Sequence, residues 1–145
     1  MKLKLPKKMT QSEVKAALEA AGIENYTGEA RILTGGFSGE ELNNALTRRI
    51  NREPLQYILG SWSFCGIELL VGEGVLIPRD DTEVVLNLCL DFLKNKNIAK
   101  CVDLCSGSGA IAVALQKRTG CDMTAVELSD KAFYFLKKNI ISNQA

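Results

Sequence analysis

Two acidic residues flank a short segment of glycine and serine in the second half of the chain. Asp103 ends an apolar run, residues 105–109 read C-S-G-S-G, and Glu127 follows Asp103 by 24 positions. If the apolar runs are strands, the turn presents backbone N–H groups and a helix N-terminus at the carboxyl edge of a sheet, where ligands of open α/β sheets bind. An acid that ends the next strand can accept both hydroxyls of a ribose. A short glycine motif alone fits an ordinary surface turn equally well, so the prediction of a cofactor site depends on the combination.

The charge of Asp103 bears on which cofactor this segment suits. Residues 107–112 match the dinucleotide pattern G-x-G-x-x-A, so a nicotinamide-dependent oxidoreductase is one interpretation. A carboxylate at position 103 would repel a pyrophosphate, whereas it would attract the sulfonium and ammonium groups of S-adenosylmethionine. The charge therefore favours S-adenosylmethionine without excluding a dinucleotide.

The composition excludes other kinds of chemistry. With no histidine in the sequence, a zinc site is disfavoured, and Ser-His or Cys-His nucleophilic catalysis cannot come from this chain alone. We therefore predict no metal site. The five cysteines are odd in number and form no C-x-x-C pair, which is typical of reduced thiols in a cytoplasmic protein.

Charge and hydropathy point away from nucleic acid and from membranes. The formal net charge is +1, and the lysines within residues 1–8 are typical of a solvated terminus. The apolar runs are far shorter than the ~20 residues that cross a bilayer, and no apolar core follows the N-terminal lysines as it would in a signal peptide. The sequence predicts no direct nucleic-acid or membrane partner.

Helical signals fill the first part of the chain, residues 1–60. Thr10 and Glu13 fit a capping box, in which the hydroxyl and the carboxylate each bind a backbone N–H group. Residues 29–33 suit a short second helix, and Pro54 cannot lie in a helix interior. Such short helices are marginal alone, so we expect them to pack together as one small domain.

The pattern changes at residue 61. Residues 61–78 alternate apolar and small residues around glycines, which predicts a β-hairpin with Trp62 and Phe64 in its core rather than in contact with substrate. From residue 79 onward helices alternate with strands, which is typical of βαβ units and a parallel sheet. The expected elements are a helix with Val85, Leu88, Cys89 and Phe92 inward, a strand at 98–104, a helix at 109–118, a strand at 123–126, and a helix at 130–140 with Phe133, Leu136 and Ile140 inward.

Two stretches of the sequence together resemble one enzyme family. Residues 103–109 are similar to motif I of class I S-adenosylmethionine-dependent methyltransferases. Residues 52–83 resemble the segment that joins the two domains of the HemK/PrmC family, whose members are peptide-chain release factor glutamine methyltransferases. The family pattern is R-x-P-x-Q-Y-[IL]-x-G, then F-x-G, then V-L-I-P-R-x-x-T-E, and this chain supplies Arg52, Pro54, Gln56, Tyr57, Ile58, Gly60, Phe64, Gly66, Val75, Leu76, Ile77, Pro78, Arg79, Thr82 and Glu83.

The resemblance implies an α/β fold and a division into domains. Residues 1–60 would form a helical domain that docks the release factor, and residues 61–78 would form a β-hairpin linker. Residues 79–145 would begin a Rossmann-like class I methyltransferase sheet that binds S-adenosylmethionine. The implied substrate is a glutamine-bearing loop of the release factor, methylated on its side-chain nitrogen.

The same resemblance implies roles for individual residues. The turn would lie beneath the cofactor, Glu127 would bind the ribose hydroxyls, and Leu128 would lie against the adenine. The residues that it assigns to the cofactor are Asp103, Cys105, Ser106, Gly107, Ser108, Gly109, Glu127 and Leu128. Three further residues would support the active site, although they also fit a plain helix start with a surface arginine: Arg79, Thr82 and Glu83.

Two departures from the family pattern limit the expected activity. Cys105 stands where the family has the first glycine of motif I, and its Cβ would crowd the turn if the backbone needs a positive φ there. The family's catalytic N-P-P-Y loop does not occur in this sequence. We therefore expect an N-terminal fragment without methyltransferase activity of its own, which self-associates through an exposed sheet edge. A non-catalytic docking module is an alternative, and a nicotinamide-dependent oxidoreductase fragment is a less favoured one.

Overall fold

The chain forms two compact units that divide between Leu59 and Gly60 in a computed structural model. The structure describes residues 9–94, 96 and 100–145. The N-terminal lysines and the first two positions of the strand predicted at 98–104 lie outside the described residues. None of the helices in these ranges combines the length and the apolar character that a membrane crossing requires.

Helices make up the described part of the first unit: α1 Gln11–Ala20, α2 Tyr26–Gly36, α3 Gly39–Ile50 and α4 Leu55–Leu59. The predicted capping box is confirmed, because the Glu13 N–H donates to the Thr10 hydroxyl at 3.3 Å and the Thr10 N–H donates to the Glu13 carboxylate at 2.8 Å. The second helix is longer than the predicted 29–33. Its buried residues Ala30 and Leu33 anchor the helix, and the exposed terminal glycines stay helical despite their low helix propensity.

An apolar core and polar contacts stabilise this unit. Arg49 donates hydrogen bonds of 2.6 and 3.1 Å to the buried carboxylate of Glu29. Arg52 donates to the carbonyl oxygens of Ala21 and Gly22 at the end of α1, so this residue of the family pattern serves to cap a helix. The buried apolar residues include Val14, Leu18, Ala30, Leu33, Leu42, Leu46, Leu55 and Ile58.

A β-hairpin opens the second unit. Strands β1 (Ser61–Phe64) and β2 (Ile67–Leu70) pair antiparallel. The turn at residues 65–66 has φ values of +49° and +77°, as a tight two-residue hairpin turn requires. Phe64 lies in the core of the unit, as predicted, whereas Trp62 is only half-buried.

Helices and strands alternate in the rest of this unit: α5 Asp80–Leu93, β3 Lys100–Leu104, α6 Ala110–Thr119, β4 Asp122–Val126 and α7 Asp130–Asn143. The predicted parallel pairing is confirmed, since β3 and β4 run parallel with Asp103 opposite Ala125. The observed fold class is therefore α/β with two small sheets. Because the strands are parallel, their carboxyl ends meet at one edge.

Some apolar side chains predicted to face inward are exposed instead. On α5, Val85, Leu88 and Phe92 are exposed, and Leu86 is the buried residue. This helix is apolar on most of its surface, so its periodicity does not reveal which side has a neighbour. On α7, Phe133 is exposed beneath the ammonium group of a lysine one turn later, 4.9 Å from the ring centre.

Candidate cofactor site

Ser106 ties together the ends of the two parallel strands. Its N–H donates to the carbonyl oxygen of Val126 at 3.0 Å, and its hydroxyl donates to the carbonyl oxygen of Asp103 at 2.9 Å. The hydroxyl also accepts from the Val126 N–H at 3.1 Å. The hydroxyl of Ser106 is thus hydrogen-bonded to backbone groups, and the structure supports a role for this residue in stabilising the turn.

The backbone of the turn enters the left-handed region three times. Cys105, Gly107 and Gly109 have φ values of +60°, +57° and +83°. From the sequence, the Cβ of Cys105 is expected to crowd the turn if the backbone has a positive φ there, and the backbone does have a positive φ at this residue. That conformation costs about 1–2 kcal/mol for a non-glycine residue.

The lack of a side chain has a different consequence at each of the two glycines of the turn. A Cβ placed on Gly107 would meet no described atom within 4 Å, so the space beside this residue is open. A Cβ placed on Gly109 would lie 2.6 Å from Cδ1 of Leu136, which belongs to α7. Gly109 therefore allows α7 to pack against the turn, while Gly107 leaves room for a ligand.

Asp103 carries a carboxylate oxygen that lacks a partner. Its Oδ2 is buried and accepts no hydrogen bond from any residue that the structure describes. Burial raises the pKa of Asp103 above its ordinary value, while the Ala112 N–H acts in the opposite direction. An acceptor of this kind suits a cationic donor, because an unpaired buried polar group is unfavourable.

Glu127 follows β4 and bonds back to the turn. Its Oε2 accepts the Gly107 N–H at 2.8 Å, and its Oε1 accepts the Ser129 N–H at 2.8 Å. The Ser129 and Gly107 N–H groups lower the pKa of Glu127 below its ordinary value. Each carboxylate oxygen retains a further lone pair, so the group can also accept from hydroxyls. The side chain of Leu128 next to it is 97% exposed.

Sequence reasoning missed Asn139, which lies on α7 behind the turn. Its Nδ2 donates to the carbonyl oxygens of Ser108 and Leu70 at 2.8 and 3.0 Å, and its Oδ1 accepts the Leu70 N–H at 2.7 Å. One signal was available, because an asparagine three residues after Leu136 puts a polar group on the predicted inward face of a helix. Ser108, assigned to the cofactor by resemblance, is itself buried.

The residues proposed to support the active site begin α5. Arg79 is the exposed N-cap residue, and its carbonyl oxygen accepts the Thr82 N–H at 3.0 Å. Glu83 accepts the N–H of Cys65 in the hairpin turn at 3.3 Å. Within the described ranges, no hydrogen bond joins these three residues to the turn at 105–109, and a role beside the cofactor stays a prediction.

The fold and the site together define an α/β protein whose strand-to-helix turn presents an unpaired carboxylate oxygen and a second acid at one sheet edge. No family model matches the chain. Among curated proteins, it is similar to the release factor glutamine methyltransferase of Bifidobacterium longum, with 42% identity over 130 residues. That alignment covers 84% of this chain and 44% of the relative.

Two further relatives carry the same description. The release factor glutamine methyltransferase of Gloeobacter violaceus is 38% identical, over 81% of this chain and 44% of its own length. That of Streptomyces coelicolor is 43% identical, over 66% of this chain and 35% of its own length. The chain spans less than half the length of these relatives, and it matches their N-terminal portion. The chain belongs to the release factor glutamine methyltransferase family.

Proposed function

We propose that residues 103–109 and Glu127 bind S-adenosylmethionine. We further propose that the chain is part of a methyltransferase that modifies a glutamine side chain of a peptide-chain release factor. The observation that carries the proposal is the buried, unpaired Oδ2 of Asp103 beside the open turn at Gly107. S-adenosylmethionine would supply a transferable methyl group on a sulfonium centre. Its positive charges match a buried carboxylate oxygen that accepts no hydrogen bond from the residues the structure describes.

The residues of the chain bind and orient the ligand in this proposal. Asp103 accepts from the ligand's ammonium group, which compensates the burial of the carboxylate. Glu127 accepts the ribose hydroxyls on its remaining lone pairs while it keeps the Gly107 N–H. Leu128, exposed in the free chain, covers the adenine. Arg79, Thr82 and Glu83 support the neighbouring active site from the start of α5.

The two compact units take different roles in this account. The helical unit docks the release factor, and residues 79–145 begin the cofactor-binding domain. The hairpin within residues 61–78 belongs to the same compact unit as the cofactor turn. We place the reaction in the cytoplasm, since all five cysteines are free thiols. We propose neither a nucleic-acid partner nor a metal.

The 145 residues alone are proposed to bind the cofactor without transferring its methyl group. In the family that the chain resembles, the N-P-P-Y loop holds the glutamine amide in line with the methyl group, and this sequence has no such motif. Equilibrium dialysis with methyl-labelled S-adenosylmethionine, followed by addition of a release factor, tests both statements. We expect label retained by the chain and none on the release factor. Label on the release factor would refute the proposed inactivity, and no retained label would refute the cofactor site.

A docking module without a cofactor is the second candidate. The observation in its favour is that the Gly107 N–H already donates to Glu127, so this donor of the turn needs no ligand to satisfy it. The same dialysis separates the candidates, because a docking module would retain no label yet still bind the release factor.

Self-association is a further part of the proposal, with a second copy of the chain as the partner. Each strand of the β3–β4 sheet pairs on one side only in the described part of the chain, and Val102, Leu104 and Val126 are exposed on it. Sedimentation should show dimers or larger species that Leu104→Lys reduces. The matched control Ile141→Lys, on the outer face of α7, should leave them unchanged. A monodisperse monomer would refute the self-association.

A further inference from the structure

The side chain of Asn139 joins two parts of the second unit that are far apart in sequence. It is fully buried, with no exposed area. Both protons of its amide nitrogen are donated, one to Leu70 on β2 and one to Ser108 in the turn, and its oxygen accepts the Leu70 N–H. An amide with these three bonds has a single orientation, since a flip would bring oxygen against two carbonyl groups.

Helix α7 uses two asparagines one turn apart to bind the edge of β2. Asn139 binds Leu70, and Asn143 donates to the carbonyl oxygen of Glu68 at 3.0 Å. These side-chain amides bind the strand in the way that the backbone N–H and C=O groups of a neighbouring strand would. Of these two asparagines, Asn139 also bonds to the turn. Asn143 therefore offers a matched control that hydrogen-bonds to the same strand and has no hydrogen bond to the turn.

The bond to Ser108 fixes a peptide that determines the shape of the turn. Its carbonyl group is in the peptide that leads into Gly109, whose φ is +83° and whose N–H donates to Ser106 at 2.7 Å. Leu136, three residues before Asn139 on α7, lies against Gly109. The second half of the turn therefore rests on one face of α7, held by an apolar contact and a hydrogen bond.

We propose that Asn139 is a positioning residue, which couples the hairpin to the turn and holds the turn in its binding conformation. The coupling itself concerns the free protein, and only its effect on the cofactor rests on the proposed function. Asn139 touches the turn and not the ligand, so it acts through Ser108.

Amide hydrogen exchange of the free chain tests the coupling. Asn139→Asp keeps an acceptor for the Leu70 N–H but loses both donors, and Asn143→Asp places the same charge one turn later. We expect exchange of the Gly107 and Gly109 amides to rise about tenfold in Asn139→Asp and to stay unchanged in Asn143→Asp. Unchanged exchange in both variants, or an equal rise in both, would overturn the proposal.

A second measurement needs no variant, in case Asn139→Asp fails to fold. In wild-type chain under mild denaturant, the Leu70 and Gly109 amides should open with the same free energy and the same denaturant dependence. Openings with different free energies would contradict the coupling.

Calorimetry with S-adenosylmethionine then tests the consequence for binding. We expect the affinity to fall about tenfold in Asn139→Asp and not in Asn143→Asp. If wild-type chain binds no S-adenosylmethionine, the proposed function fails, while the exchange result still decides the coupling. If wild-type binds and the two variants lose affinity equally, the positioning role fails alone.

Discussion

The carboxylate of Glu127 accepts the N–H of Gly107 at 2.8 Å, so the acid after β4 holds the turn that follows β3. The same carboxylate accepts the Ser129 N–H at the start of α7. Glu127 therefore joins the turn to the start of α7, in addition to the ribose-binding role proposed for it.

Protonation of Glu127 should change the resonance of the Gly107 amide. The folded-state pKa is lowered, so the stabilising contribution of this carboxylate is present above its unfolded pKa and is lost as pH falls through the folded value. We expect the Gly107 amide resonance to shift as the pH falls through the lowered pKa of Glu127, and we expect this shift to vanish in Glu127→Gln. Glu73→Gln, which removes an exposed carboxylate paired with Lys131, is the control and should leave the shift in place. If the Gly107 resonance shifts in the same way in wild type and in Glu127→Gln, the hydrogen bond between these two residues is contradicted.

Ionisation of Asp103 should lower the stability of the fold, whereas ionisation of Glu127 raises it. Its folded pKa is raised, so ionisation disfavours the fold, and stability falls as pH rises from the unfolded pKa past the folded one. We expect Asp103→Asn to have a higher Tm than wild type at neutral pH, and the two to converge in acid. The exposed Asp122→Asn serves as control. A lower Tm for Asp103→Asn at neutral pH would show that its carboxylate stabilises the free chain.

The left-handed conformation of Cys105 predicts a stabilising substitution. Cys105→Gly removes the Cβ at φ +60° and should raise the free energy of unfolding by about 1 kcal/mol. Cys105→Ala keeps a Cβ and should give no such gain. Urea denaturation of the two variants compares them directly. Equal stability of the glycine and alanine variants would contradict the positive φ.

The two glycines of the turn should respond differently to alanine. Gly109→Ala brings a Cβ against Leu136 and should cost about 1–3 kcal/mol of stability. Gly107→Ala meets no described atom, so its cost should be limited to the backbone, about 1 kcal/mol. Chemical denaturation measures both. A larger loss for Gly107→Ala would contradict the packing of α7 on Gly109.

The sequence predicts the helices and strands better than it predicts which residues pack against one another. Alternating helices and strands, the parallel pairing of β3 with β4 and the capping box at Thr10 follow from local patterns, and the structure shows them. The predicted inward face of α5 holds for Cys89 and was wrong for Val85, Leu88 and Phe92. An apolar helix packs only where another element meets it, and that depends on distant residues. The bonds of Glu127 to Gly107 and of Asn139 to Ser108 join positions 20 and 31 apart. No local spacing encodes such pairs.

Isothermal titration calorimetry of the 145-residue chain with S-adenosylmethionine and with NADH tests the central proposal most directly. The cationic ligand should bind and NADH should not, because the unpaired oxygen of Asp103 attracts positive charge and repels a pyrophosphate. Asp103→Asn should weaken the binding of S-adenosylmethionine about tenfold or more. A folded wild-type chain that binds NADH, or that binds neither ligand, would contradict the account.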